Sequence, residues 1–160
     1  MGSVGANKNT LSSDTAVAVD NYLEGSGRLN NKQANEILSK STMTKDTLYR
    51  VEDSEWLANK LKVGQDFTFN EAVKSFTSTQ SGIDTVVAEG DDAGMYENTV
   101  AIYQTEGNTK SFDVSGMSRN HAEEGEHLVG GTFTVVSKEK GPKIRGYNTV
   151  IIKIRQKKGK

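Results

Sequence analysis

The chain has 160 residues, of which 34% are hydrophobic and 26% are charged, as is usual for a soluble globular protein with a core of its own. Its formal net charge of -1 gives no general attraction to nucleic acid or to an anionic membrane, and no apolar run is long enough to predict membrane insertion. The absence of cysteine excludes disulfides, thiolate metal ligands and a cysteine nucleophile. The two histidines, His121 and His127, lack metal-ligand spacing, so we expect no metal.

The N-terminal part predicts two helices after a short polar segment. Residues 1–10 predict a disordered lead-in, in which Met1-Gly2-Ser3 has the appearance of a cloning remnant. Ser12-Ser13-Asp14 is a candidate N-cap, and apolar residues then recur at helical spacing as far as Leu23. Leu29-Asn30-Asn31 predicts the start of a second helix that continues through Leu38.

From about Thr47 the pattern changes to short β-branched and alternating segments. The predicted strands cover residues 47–51, 67–69, 73–79, 98–103, 110–114, 126–129, 132–137 and 147–155. Asp53-Ser54-Glu55 predicts a short helix that carries Trp56 and Leu57. The glycines and aspartates between residues 81 and 96 predict a long surface loop, in which one helical turn can fit.

These elements predict an α+β fold, in which N-terminal helices pack on a mostly antiparallel core of two sheets. We expect residues 11–156 to form a single domain and residues 157–160 to be a solvated basic tail. Gly25-Ser26-Gly27 resembles part of a dinucleotide-binding glycine loop. However, it follows a helix rather than a strand and has no third glycine, so we interpret it as a helix end.

The acidic segment Glu124-Gly125-Glu126 is the strongest candidate for chemistry. Two carboxylates two residues apart lie on the same side of an extended strand, where their repulsion needs a cation, a metal or a developing positive charge to offset it. An acidic surface loop is the alternative interpretation. The apolar Leu128-Val129 that follows places Glu126 at the start of a strand, where its carboxylate can reach a cleft.

Two further segments have both a structural and a functional interpretation. Arg50 lies in an otherwise apolar strand. It is either a residue of an edge strand whose guanidinium is in solvent, or a source of several N–H donors for a diphosphate or ribose. Ser75 to Gln80 is either an ordinary hydroxyl-rich strand or a source of hydroxyls that orient a catalytic carboxylate.

Together these segments resemble the arginine-serine-glutamate class of ADP-ribosyltransferases, which includes clostridial binary-toxin enzymes and bacteriophage transferases. The matching motifs are Tyr49-Arg50, Phe76-Thr77-Ser78-Thr79 and Glu124-Gly125-Glu126, and the likeness extends over about residues 15–155. The chain departs from the pattern at Val51, where the family often has glycine, and at Gln80, where it often has serine.

The resemblance implies an α+β fold with an NAD cleft and transfer of ADP-ribose from NAD to a protein side chain, arginine above all. It implies a catalytic role for Glu126 at the ribose, for Ser78 in orienting Glu126 and for Glu124 facing the acceptor. The implied NAD-binding residues are Tyr49, Arg50, Val51, Ser78, Thr79 and Glu126. The glycine-bearing loop at residues 114–123 is expected to select the protein substrate, and residues 82–94 to cover the nicotinamide and phosphates.

The resemblance further implies a toxin or effector domain, or a phage enzyme that modifies host proteins, acting in the cytosol of a target cell after secretion or injection as part of a larger protein. Its expected partners are NAD, an acceptor protein and, for a toxin, an immunity protein, without nucleic acid. Three alternatives stay open: an NAD glycohydrolase on the same fold, a catalytically inactive binding module, and a calcium- or carbohydrate-binding β-domain that uses Asp91, Asp92 and the glutamates. The acidic residues lack calcium-loop spacing, which disfavours the third.

Overall fold

The computed structural model describes residues 11–24, 26–52, 59–96, 98–114 and 125–157. Its helices are α1 (Ser13–Leu23), α2 (Asn31–Ser39) and α3 (Gln80–Asp92). Its strands are β1 (Thr42–Thr44), β2 (Tyr49–Glu52), β3 (Asp66–Thr77), β4 (Thr99–Thr105), β5 (Thr109–Asp113), β6 (Glu126–Ile144) and β7 (Tyr147–Gln156). None of the helices in these ranges is long and apolar enough to cross a membrane. The short helix predicted near Trp56 falls outside the described residues.

The strands form one hydrogen-bonded network in the order β1-β5-β6-β3-β2-β4-β7, with β6 also paired to β7. Strand β6 has 19 residues, so its first part can pair with β3 and β5 while its second part pairs with β7. The pairing of β4 with β7 is parallel and the other pairings are antiparallel. The predicted α+β class with a mostly antiparallel core is confirmed. All seven strands in the described ranges belong to one sheet, in which β6 pairs with β5, β3 and β7.

Three apolar clusters hold the helices and strands together. An aromatic cluster fills the core of the sheet, and its rings contact one another edge-on, tilted or stacked with centroids 5.2–6.4 Å apart. A second cluster packs α1 and α2 against one face of β3, β5 and β6, and a third packs α3 against β2 and β4. The rings of the aromatic cluster are Phe67, Phe69, Phe76, Tyr103 and Phe133.

The two N-terminal helices begin where their caps predict. The side chain of Ser12 accepts a hydrogen bond from the backbone N–H of Thr15 at the start of α1. Asn30 and Gln33 form a reciprocal capping box at the start of α2, which satisfies two backbone donors that the first turn leaves free.

The surface loop predicted over residues 81–96 is wrong, because residues 80–92 form α3. The Oγ1 atom of Thr79 caps this helix by accepting a hydrogen bond from the backbone N–H of Gly82 at 2.9 Å. Ile83 and Val87 then lie one turn apart on the buried face. The helical spacing of these apolar residues was not recognised because the glycines in the segment are typical of loops. Gly94 follows the C-cap Ala93 in a left-handed conformation, which glycine adopts readily.

A single carboxylate joins the beginning of α1 to α2. Glu36 accepts hydrogen bonds from the Ser12 backbone N–H at 2.6 Å, the Ser12 hydroxyl at 2.8 Å and the Thr15 hydroxyl at 2.7 Å. The bond from the Ser12 backbone, followed by that from Thr15, lowers the pKa of Glu36 from 4.5 to about 2. Because the folded pKa is lower than the ordinary value, the stabilisation is present above pH 4.5 and is lost as the pH falls through about 2.

We therefore expect Glu36→Gln to lower the midpoint of urea unfolding at pH 7, since an amide nitrogen cannot accept the bonds that one carboxylate oxygen accepts. The difference from the wild type should shrink as the pH falls from 5 toward 2, because the native carboxylate is then protonated. Glu139→Gln is the control, since Glu139 lies in an exposed ion pair with Lys153 at 3.2 Å. A difference that stays constant down to pH 2 would contradict this account.

Candidate functional site

A cleft of about 450 Å³ lies where α3 meets β2, β3 and the beginning of β6. This volume is within the range of small-molecule and cofactor sites. A narrower pocket of about 50 Å³ adjoins it and shares Arg50, Val51, Ser75, Val86 and Glu126. The other residues that line the cleft are Leu23, Glu52, Glu89, Gly90, Met95 and Tyr96.

Arg50 is held in this cleft by two acceptors on different strands. Its Nε atom donates to Oε1 of Glu52 at 2.9 Å, and its Nη1 atom donates to the backbone carbonyl of Ser75 at 2.9 Å. Strand β2 lies between β3 and β4, with Tyr103 directly opposite Arg50. The edge-strand interpretation of Arg50 is therefore wrong, and its guanidinium has a fixed position in the cleft.

Glu126 begins β6 and is 8% exposed, and its side chain lines both the cleft and the narrower pocket. It lies opposite Thr77, the last residue of β3. Immediately beyond this pair, Ser78 donates twice to the carbonyl of Gly125, from its backbone N–H at 3.1 Å and from its hydroxyl at 2.9 Å. These two bonds fix the peptide from which the Glu126 side chain emerges.

The remaining predicted site residues fall into two groups. Tyr49 and Val51 line the narrower pocket and pack on the apolar face of α3. Thr79 caps α3, so it positions a wall of the cleft. Sequence alone provided the candidates but did not show that Thr79 has this capping role.

Glu124 lies outside the described residues. The predicted placement of both glutamates on one side of a strand therefore stays a prediction. Strand β6 begins at Glu126, and Gly125 before it has a φ of +58°, a backbone conformation that favours glycine.

The structure adds cleft residues that sequence reasoning missed, above all Glu52, Glu89 and Tyr96. Glu52 had a detectable signal, since residues two apart on a strand share a side and Glu52 stands two after Arg50. Tyr96 contacts the ring of Tyr147 edge-on with centroids 5.3 Å apart. It follows α3 in a segment predicted to be loop, where no periodicity pointed to the cleft.

The charges around the cleft are mainly negative. Among the described residues that line it, Glu52, Glu89 and Glu126 are carboxylates and Arg50 is a cation. Burial raises the pKa of the nearby Tyr22 phenol, while Arg50 lowers it in part, so this phenol is neutral at neutral pH. Among the described lining residues, the cleft therefore combines one fixed guanidinium with an environment that stabilises positive charge.

The buried histidine next to Glu126 belongs to the structural core. The Nδ1 atom of His127 lies 2.8 Å from the hydroxyl of Ser111, and burial lowers the pKa of the imidazole. Alternation along β6 points His127 away from the side on which Glu126 lies. Within the described ranges, no group of three or more histidine, aspartate or glutamate side chains is arranged to hold a metal ion.

Gly125→Ala tests whether the contact between Gly125 and Ser78 constrains the turn before β6. A Cβ atom at Gly125 would collide with the hydroxyl of Ser78, and the left-handed backbone adds a cost of about 1–2 kcal/mol. Gly107→Ala is a matched control, because Gly107 has a φ of +73° and a Cβ atom added there would have no heavy atom within 4 Å. In urea unfolding, we expect Gly125→Ala to lose more stability than Gly107→Ala.

Adding Ser78→Ala to Gly125→Ala should recover part of that loss, because it removes the colliding oxygen. Equal losses in Gly125→Ala and Gly107→Ala would mean that the Ser78 contact does not constrain the turn.

The fold that carries this cleft also occurs in proteins of known structure. No protein-family model matches the chain, and a search of curated proteins gives no match. Solved structures do match along nearly the whole chain. One is an ADP-ribosyltransferase from Clostridium botulinum, with a TM-score of 0.60 and 14% identity, covering 96% of this chain and 92% of that one.

Two further matches are toxins from other bacteria. Vis, an ADP-ribosyltransferase from Vibrio splendidus, has a TM-score of 0.58 in its complex with agmatine, with 15% identity over 99% of this chain and 75% of that one. An ADP-ribosyltransferase toxin from Paenibacillus larvae has a TM-score of 0.59 and 14% identity over 95% of this chain and 90% of that one. The resemblance that the sequence indicated is thus confirmed at the level of the fold, and the chain has the fold of bacterial ADP-ribosyltransferase toxins.

Proposed function

We propose that this protein is an NAD-dependent mono-ADP-ribosyltransferase that transfers ADP-ribose to the guanidinium group of an arginine side chain. The observation that carries the proposal is one cleft that holds a fixed Arg50 and a buried Glu126 in a fold shared with ADP-ribosyltransferases. Arg50 supplies the donors for the diphosphate, since a planar guanidinium binds phosphate oxygens in a defined geometry.

Glu126 acts where positive charge develops. When the bond between nicotinamide and the ribose C1′ breaks, the electron pair leaves with nicotinamide and the ribose becomes an oxocarbenium-like cation. A carboxylate held beside that carbon in a shielded cleft lowers the energy of this state. The position of Glu126 at the start of β6 and the two Ser78 bonds to Gly125 support this role. Ser78 thus positions Glu126 through the backbone.

The acceptor nitrogen then forms a bond to C1′ and loses a proton. In this proposal Glu124 pairs with the acceptor guanidinium and takes that proton, a role that follows from its place in the motif. The products are ADP-ribosylated arginine, nicotinamide and a proton. Two observations support a guanidinium acceptor: the excess of carboxylates around the cleft, and the binding of agmatine, a small guanidine, by the structurally similar Vis.

Tyr49, Val51 and Thr79 complete the NAD site. In this proposal Val51 offers its backbone to the nicotinamide amide and Tyr49 lines the narrower pocket beside it. Thr79 holds the start of α3, which lines the cleft. In this proposal α3, together with Met95 and Tyr96 after it, covers the nicotinamide and phosphates, and the lining of the cleft by these residues supports it. The proposed reaction needs no metal.

We further propose that the protein acts as a toxin or effector, or as a phage enzyme, on a protein of a target cell. The support is the set of bacterial toxins that share its fold. In this setting the cytosol of the target cell supplies NAD, and the producing cell would need a partner protein that neutralises the enzyme.

The proposal is tested by transfer of labelled ADP-ribose from NAD to proteins in bacterial and eukaryotic lysates. Labelled bands that disappear with Glu126→Gln would support the transferase, and mass spectrometry would then identify the acceptor residue. Steady nicotinamide release without label would indicate a glycohydrolase. Absence of NAD binding, of label and of nicotinamide release would overturn the proposal and favour a binding module.

Glu126→Gln should lower both ADP-ribose transfer and NAD cleavage by at least about 100- to 1,000-fold, because the amide preserves the shape but removes the charge that stabilises the ribose cation. The measurement is nicotinamide release with and without agmatine. Glu139→Gln is the charge-matched control outside the cleft and should retain wild-type rates. A Glu126→Gln protein that is folded and cleaves NAD normally would exclude Glu126 from the chemistry.

Glu124→Gln should separate the two activities. Transfer to agmatine should fall by about 100-fold or more, since the acceptor loses its base, while slow hydrolysis of NAD should be largely retained. The ratio of agmatine product to total nicotinamide released measures this separation directly. Equal losses of transfer and hydrolysis would contradict separate roles for the two glutamates.

A further inference from the structure

The strand that carries Arg50 also carries a carboxylate for which the proposed reaction has no role. Glu52 lies two residues after Arg50 on β2, and its Oε1 atom accepts from Arg50 Nε at 2.9 Å. Each of the two side chains is only 17% exposed. Both line the cleft, so this ion pair is shielded and lies at the place where an anionic ligand would bind.

The contacts of Arg50 show that Glu52 restrains its guanidinium group. One N–H is directed to Glu52 on the same strand and another to the carbonyl of Ser75 on β3, so the guanidinium is held from two sides. An arginine side chain has several rotatable bonds, and fixing them before a ligand arrives reduces the entropy lost on binding. Glu52 therefore helps to hold the N–H donors of the Arg50 guanidinium in place before a ligand binds.

The charge of Glu52 has the opposite effect on an anion. A carboxylate beside the guanidinium largely cancels its charge and repels a diphosphate. The position of Glu52 thus favours binding of NAD, whereas its charge opposes it. These two effects can be separated, because glutamine keeps the accepting oxygen and loses the charge.

We propose that Glu52 is a positioning residue that acts through Arg50: it orients the guanidinium toward the diphosphate of NAD and at the same time limits the affinity for NAD. This inference rests on the proposed function, because it takes NAD as the ligand. It adds a determinant of NAD binding that lies outside the Arg, Ser-Thr and Glu-Gly-Glu motifs.

The test is NAD binding by calorimetry together with the KM and kcat of nicotinamide release for four variants and a control. Glu52→Ala should raise the Kd and KM for NAD about tenfold, with kcat changed less than about twofold, because it removes a charge-assisted hydrogen bond that orients a binding group. Glu52→Gln should give a KM equal to or lower than that of the wild type. Glu139→Ala removes an exposed carboxylate elsewhere and should leave both constants unchanged.

The variants Arg50→Lys and Arg50→Lys with Glu52→Ala decide whether Glu52 acts through Arg50. Lysine lacks the Nε donor, so Glu52→Ala should raise the KM no further in that background. A full additional tenfold rise would overturn the proposal, as would wild-type binding by Glu52→Ala. Where Glu52→Ala fails to fold, Glu52→Gln still decides, since a tenfold rise in its KM contradicts the inference. Failure of the wild type to bind NAD would instead overturn the proposed function, and this inference with it.

Discussion

The cleft depends on the pairing of β3 with β6 where Thr77 lies opposite Glu126. This pairing brings together two segments that are far apart in the sequence, and the Ser78 bonds to Gly125 then fix the turn from which Glu126 emerges. A slip of one residue would send the Glu126 side chain to the opposite face, because side chains alternate along a strand. The aromatic core and the packing of the N-terminal helices hold the same two strands from opposite faces, so they protect this register.

The charges in the cleft come mainly from side chains on β2, α3 and the start of β6. Arg50 is a fixed cation with two internal acceptors, while the carboxylates around it outnumber it among the described lining residues. In the proposed reaction, such a site would bind a diphosphate through directed hydrogen bonds more than through net charge. The surplus of negative charge would then stabilise a cation formed from the bound substrate and a cationic acceptor, and a low local dielectric would strengthen both effects.

Much of this arrangement could be predicted from the sequence, and the remainder has identifiable physical reasons. Helical periodicity and capping residues located α1 and α2, and the motif pattern indicated the fold. Helix α3 was missed because its glycines resemble loop composition while the decisive Thr79 cap depends on geometry at the end of β3. Glu52 was missed because its importance comes from a contact with Arg50 and not from its residue type. The positive φ of Gly125 was missed because it occurs where the chain meets Ser78, a residue distant in the sequence that donates to the Gly125 carbonyl.

The central claim is that the cleft transfers ADP-ribose to a guanidinium group. Its most direct test is mass spectrometry of agmatine after incubation with the purified protein and NAD. The account predicts an agmatine product that carries one ADP-ribose, formed together with an equal amount of nicotinamide beyond the background of hydrolysis. A folded protein that binds NAD and releases nicotinamide at the same rate with and without agmatine, and forms no conjugate, would contradict transfer to a guanidinium acceptor.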